Sequence, residues 1–212
     1  GVSVNPTDIA VNWGRAFVVN SGGDAITDYD STMVAIDVKD GVVAINEFAG
    51  NIILDKNPTS VINDGAIIVL CKGIYDANNP SNNIESSINR VGAGSLSIIN
   101  VIVLNNIYNA DNLISNHNDT KYYITSENGV YWIDASTYST HLVTDKKNPT
   151  VLCVNVEKYA DTDTTFAYSG MLYMNDNNSN SSEYIYKYNV QLNQFVDSFI
   201  VNAPVLDFQI HK

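Results

Sequence analysis

The chain has 212 residues, 45% of them apolar, so it can bury a substantial core without disulfides or metals. Its formal charge is −12 and its pI about 4.3, and its eleven Lys and Arg are scattered without a cluster, which argues against a phosphate-binding face and against nucleic acid as a partner. Charged residues make up only 16% while Asn occurs 29 times, a polar surface of amides and hydroxyls that suits an extracytoplasmic β protein.

No stretch approaches the ~20 apolar residues of a membrane-spanning helix. The sequence as given shows no basic, apolar leader, and a leader or lipid-anchored Cys upstream of Gly1 is compatible with this reading. Helical periodicity is nowhere sustained over the ~11 residues of an amphipathic helix.

In chain order, Asp8 to Asn12 alternate and Gly14 precedes the β-branched run Ala16 to Asn20, two short strands joined by a tight turn. A polar loop, Ser21 to Thr32, leads to Met33 to Asp37, then a Lys39-Asp40-Gly41 turn and a fourth strand, Val42 to Phe48. The same order recurs: Ser60 to Ile62, the turn Asn63-Asp64-Gly65, the apolar run Ala66 to Cys71, and a third strand ending near Ile98-Ile99-Asn100. Between the second and third of these, Lys72 to Gly94 is rich in Asn, Ser, Gly and Pro and reads as an irregular surface insertion whose return is Gly92-Ala93-Gly94. A compact third unit holds Asn112 to Ser115, Lys121 to Thr125, an Asn128-Gly129 turn and Val130 to Asp134. The fourth holds Val151 to Val156, Met171 to Asn175, Tyr184 to Asn189 and Phe195 to Val201.

Punctuation separates the units. Asn-Pro-Thr occurs at Asn5, Asn57 and Asn148, and a degenerate copy, Asn202-Ala203-Pro204, closes the series. The intervals are 52, 91 and 54 residues, and two units in the middle interval bring each to about 45. That period and four strands per unit predict an all-β chain, a β-propeller of four-stranded antiparallel blades. The expected blades are 5–56, 57–108, 109–147 and 148–201, with an extra inner strand at 204–211. A surplus inner strand implies that these four blades form part of a six- to eight-bladed ring, with association through unpaired terminal strands as the alternative. The third strands end in an apolar residue followed by Asp or Asn, at Asp37, Asn100, Asp134 and Asn189, where the side chain can start the next turn.

Asn-Pro, an inner strand, Gly plus Phe17-Val18-Val19-Asn20 and then Val34-Ala35-Ile36-Asp37 together resemble the YVTN-type β-propeller repeat. The resemblance implies a bacterial surface-layer-type or Bacteroidetes surface propeller, on a fold shared with quinoprotein dehydrogenases. It is specific for fold and implies no particular chemistry.

Candidate chemistry is sparse. Asp24, Asp28 and Asp30 share a loop and are the metal candidates, although the twelve-residue calcium pattern is missing. His117, His141 and His211 have no Cys, Asp or Glu at ligand spacing, and no nucleophile elbow is present, so neither a catalytic set nor a cofactor is expected. Cys71 and Cys153 lie in apolar runs and read as buried thiols, with a disulfide left open. Tyr75, Tyr108, Tyr138 and Tyr159, in or near loops, are candidates for contact with a ligand, joined by the inner-strand residues Asp8, Asn12 and Asn155. The favoured function is a non-catalytic extracytoplasmic propeller that binds protein or glycan at the cell surface. The alternatives are a lactonase, lyase or quinoprotein-type enzyme with a site in the central channel, and a carbohydrate-binding propeller.

Overall fold

A computed structural model describes residues 5–22, 30–39, 42–116, 120–145, 152–160, 166–175, 183–189 and 192–202. They form four antiparallel sheets of four strands, each taking its strands in chain order. The first contains β1 (Pro6–Asn12), β2 (Arg15–Asn20), β3 (Thr32–Lys39) and β4 (Val42–Ile53). The second contains β5 (Pro58–Asp64), β6 (Ala66–Cys71), β7 (Ser87–Val91) and β8 (Ile98–Val103). The third contains β9 (Asp111–Ser115), β10 (Lys121–Ser126), β11 (Gly129–Asp134) and β12 (Thr140–Thr144). The last contains β13 (Leu152–Ala160), β14 (Phe166–Asn175), β15 (Glu183–Asn189) and β16 (Gln194–Val201). Four-stranded meanders in succession are the blades of a β-propeller. Among the described residues the only helix is one 3-10 turn, Pro80–Asn82. The chain divides into two compact units, Gly1–Leu113 and Ile114–Lys212, with the division inside β9.

In the first unit the core lies between two blades. Phe17, Val19, Met33, Ala35 and Ile52 of the first blade form one buried cluster with Val61, Ile67, Val69, Cys71 and Val91 of the second. All six residues of β6 are buried, so both faces of the strand are covered, which is why Ala66 to Cys71 reads as an unbroken apolar run. The second unit has its own cluster, in which Tyr123 and Val130 join Leu172, Met174 and Tyr188.

Two expectations are corrected in the second blade. Its third strand is β7, inside the segment read as insertion, and Ile98-Ile99-Asn100 belongs to the fourth strand, β8. The true insertion is 72–86, and Gly92-Ala93-Gly94 lies in the β7–β8 connection, closed by the Gly92 and Leu96 N–H groups bonding to Ser97 and Gly92 carbonyls. Ser87-Ile88-Asn89-Arg90-Val91 escaped notice because its buried Ser87 and Asn89 are polar; Asp55 accepts hydrogen bonds from both side chains. In the first blade the third strand continues past Asp37 to Lys39, and in the third and fourth blades it ends at the expected residue. Asp134 starts a turn by accepting the Ser136 and Thr137 N–H groups, and Asn189 accepts that of Leu192. Asp37 instead pairs with Arg15 directly across the sheet, at 2.7 Å.

The blade junctions share a backbone feature. Asn5, Asn57 and Asn109 have φ of 51°, 56° and 57°, left-handed values that asparagine tolerates better than most residues. They are spaced 52 residues apart, so the third blade opens at Asn109-Ala110 and the middle interval is not divided evenly. Alanine stands where the earlier blades have proline because the Ala110 N–H donates to Ser86 Oγ, a bond that proline cannot make. The strands that follow share an irregularity, with the register shifting between Pro6 and Asp8 in β1 and between Pro58 and Ser60 in β5.

Side chains then tie one inner strand to the next. Asp8 Oδ2 accepts the Ser60 hydroxyl at 3.1 Å and the Val61 N–H at 2.8 Å. Ser60 Oγ, at the same place one blade later, accepts the Leu113 N–H at 3.2 Å. At the far end of the strands Asn63 donates to the Val11 carbonyl and accepts from Asn12. Asp8 and Asn12 are thus engaged in joining blades.

Cys71 is a free thiol, fully buried. Burial pushes its pKa far above the ordinary 9.0, the negative charge of Asp55 adds to the effect, and Asn89 donates to its sulfur. Cys153 and the segment 204–211 contribute no side-chain observation, since the first lies in β13 where only the backbone is described and the second lies outside the described residues.

Asp8→Ala removes an acceptor of two bonds and is expected to cost about 1–3 kcal/mol in urea unfolding, with Asp8→Asn costing less because one amide oxygen remains. In a Cys153→Ser background, Cys71 is expected to resist a thiol reagent until the chain unfolds. Its folded pKa is raised, so above pH 9.0 the unfolded state loses this proton first and stability falls as pH rises; Cys71→Ala is expected to flatten that slope in unfolding curves taken between pH 8 and 10.

Candidate functional site

Strands that alternate in direction send the β2–β3 and β4–β5 types of connection to one end of a blade and the hairpin tips to the other. In the first unit one end therefore carries segments 72–86 and 104–110, and the opposite end carries the tips at Trp13-Gly14 and Gly65.

The 72–86 loop is built, not merely long. Gly73 adopts φ of 74°, and a Cβ there would lie 2.2 Å from the Ile84 carbonyl oxygen, so only glycine lets the two arms of the loop close. Ile74 and Ile84 exchange both backbone hydrogen bonds at 2.9 Å. Asp76 Oδ1 accepts the Asn78 and Asn79 N–H groups, its own N–H donates to Asn83 Oδ1, and the 3-10 turn follows. Four further bonds fasten the loop to 104–110: Ser86 N–H to the Ile107 carbonyl, Leu104 N–H to the Ser86 carbonyl, Asn106 N–H to Glu85 Oε1, and Ala110 N–H to Ser86 Oγ.

This scaffold brings two candidate tyrosines together. The rings of Tyr75 and Tyr108 lie 6.1 Å apart, tilted by 42°. Tyr75 is 39% exposed and Tyr108 half-buried, so the pair offers aromatic surface on a segment rich in Asn.

The other candidates fall elsewhere. Tyr138 belongs to the second unit, in the turn after β11, with φ of 58° and its N–H bonded to the Asp134 carbonyl. In that turn hydrogen bonds, led by the Ser136 hydroxyl, hold the Asp134 carboxyl well below the usual carboxylate range. Tyr159 and Asn155 sit on β13 opposite Ala167 and Met171, where only the backbone is described. Asp24 and Asp28 lie outside the described residues, and Asp30 bonds the Ser31 N–H with its carboxylate. Among the described residues no three His, Cys, Asp or Glu are grouped to hold a metal. The second unit also contains a stack, Trp132 over His141 at 4.0 Å with Lys121 Nζ 4.1 Å from the indole, which joins β10, β11 and β12 across one sheet.

One residue was missed. Trp13 is 78% exposed at the tip of the β1–β2 hairpin, and the signal available in the sequence was a bulky residue before Gly14 where such a turn normally has asparagine.

The sequence matches no protein-family model and no curated protein. The fold does have solved counterparts, among them two of β-propeller type. Hydrazine synthase of Kuenenia stuttgartiensis superposes with a TM-score of 0.58 at 11% identity, over 95% of this chain and 52% of that one. A Bacteroides fragilis protein described as a 6-phosphogluconolactonase gives 0.48 at 11% identity, over 94% of this chain and 72% of that one. The chain spans about half the length of the hydrazine synthase chain, and at this identity the likeness is one of fold.

Proposed function

We propose that this chain is a binding propeller of the bacterial surface-layer type, with YVTN-like blades, which holds a protein or glycan outside the cytoplasm without transforming it. The observation that carries the reading is the Tyr75–Tyr108 pair on the fastened 72–86 loop. A loop that served only to connect β6 to β7 needs neither a glycine with no room for a Cβ nor four bonds to the next connection. Fixing the loop beforehand lowers the ordering cost that a flexible loop meets on binding, and tyrosine offers a large contact area with little side-chain entropy to lose. The acidic, lysine-poor, asparagine-rich composition supports a location outside the cytoplasm and disfavours anionic partners.

The test is binding of the purified chain to a glycan array and to intact bacterial surfaces. Tyr75→Ala together with Tyr108→Ala is expected to weaken binding at least about tenfold, roughly 1.4 kcal/mol, while the Asp76 turn and the melting temperature stay near those of the parent chain. Binding that is unchanged in the double variant, or turnover of a lactone by the parent chain, defeats the reading.

A further inference from the structure

Trp13 and Gly14 have φ of 55° and 68°, and Asn12 pairs with Arg15 across them, which makes a two-residue hairpin turn with both central residues left-handed. Such a turn suits Asn-Gly, and a bulky L-residue at its first position is strained. This chain meets the same requirement with asparagine elsewhere. Of the nine non-glycine residues described with positive φ, six are Asn, and the others are Trp13, Leu96 and Tyr138.

Leu96 offsets its strain by packing against the core between the first two blades. Tyr138 is half-buried in its turn. Trp13 has no such return, because at 78% it is the most exposed large apolar side chain among the described residues. Strain that the fold does not repay points to a role in contact with something outside the chain.

The surroundings indicate the class of ligand. Beside the turn, Asn12 Nδ2 donates to Asn63 Oδ1 at 2.8 Å, so two carboxamides from adjacent hairpins lie together, Asn12 being next to the indole in sequence and Asn63 being followed by Asp64. Arg15, the nearby cation, is committed to Asp37 and to the carbonyls of Ala93 and Gly94. An exposed indole next to an amide in sequence, with Arg15 committed and within a chain of charge −12, suits the apolar CH face of a sugar ring with neutral hydroxyls and disfavours sulfated or uronic acid sugars.

We propose that Trp13 is the stacking platform of a neutral pyranose site formed at the tips of the first hairpins of blades one and two. The site is at the opposite end of these blades from Tyr75 and Tyr108 and does not depend on that reading.

Trp13→Asn creates the preferred Asn-Gly turn and so separates binding from folding. The variant is expected to melt at the same temperature or about 2–4 °C higher. In titrations with cellotetraose and with triacetylchitotriose, the parent chain is expected to bind at least one of them with a blue shift of tryptophan emission. Trp13→Asn is expected to weaken that binding at least about tenfold, and Trp13→Phe by less. A lower melting temperature for Trp13→Asn shows that the indole supports the fold and overturns the proposal. Failure of the parent chain to bind either sugar at millimolar concentration, or equal binding by Trp13→Asn, overturns it as well.

Discussion

The first unit depends on a problem that every propeller blade has to meet: inner strands of neighbouring blades lie side by side without a shared backbone ladder, and their N–H groups still need acceptors. Asp8 supplies an acceptor to Val61, and Ser60, in the same place one blade on, supplies one to Leu113. Ser60 is both donor and acceptor in this chain of contacts, since its hydrogen goes to Asp8 while its oxygen receives the Leu113 N–H. A hydroxyl can do both where a carboxylate cannot. The apolar cluster between the blades supplies most of the contact, and the polar contacts set the register in which one inner strand lies against the next.

The fold class was legible because the elements that define it are written locally. Each strand pair has its own turn residues, β6 announces itself by six consecutive buried side chains, and the absence of helical periodicity left little else. β7 was not legible, because Ser87 and Asn89 are polar residues buried by partners, chiefly Asp55, that lie far away in sequence. The third junction, expected at 109 from the spacing of the repeats, lacks the mark that the others carry. Proline was the visible mark, but the requirement is a left-handed asparagine, and at Ala110 a hydrogen bond to Ser86 takes the place that proline would occupy.

Site residues divided along the same line. Tyr75 and Tyr108 could be singled out as loop aromatics, but 33 residues separate them, and only the fastening of 72–86 to 104–110 places their rings in contact. Asp8 and Asn12 looked available because they are polar residues on an inner strand; the structure assigns their hydrogen bonds to the neighbouring blade. Trp13 escaped because a hydrophobic residue beside a glycine reads as the edge of a strand, and its strain is apparent only once φ is known.

The asparagine hinge bears on how such a chain changes over generations. Each of the first three blades begins with one residue able to turn left-handed, and in the first two the acceptor for the following blade comes three residues later. An in-frame duplication of such a unit arrives carrying both its own corner and its own fastening to whatever comes next. Ancestral copying can therefore add or delete blades without inventing a new junction, while the exposed tips diverge independently.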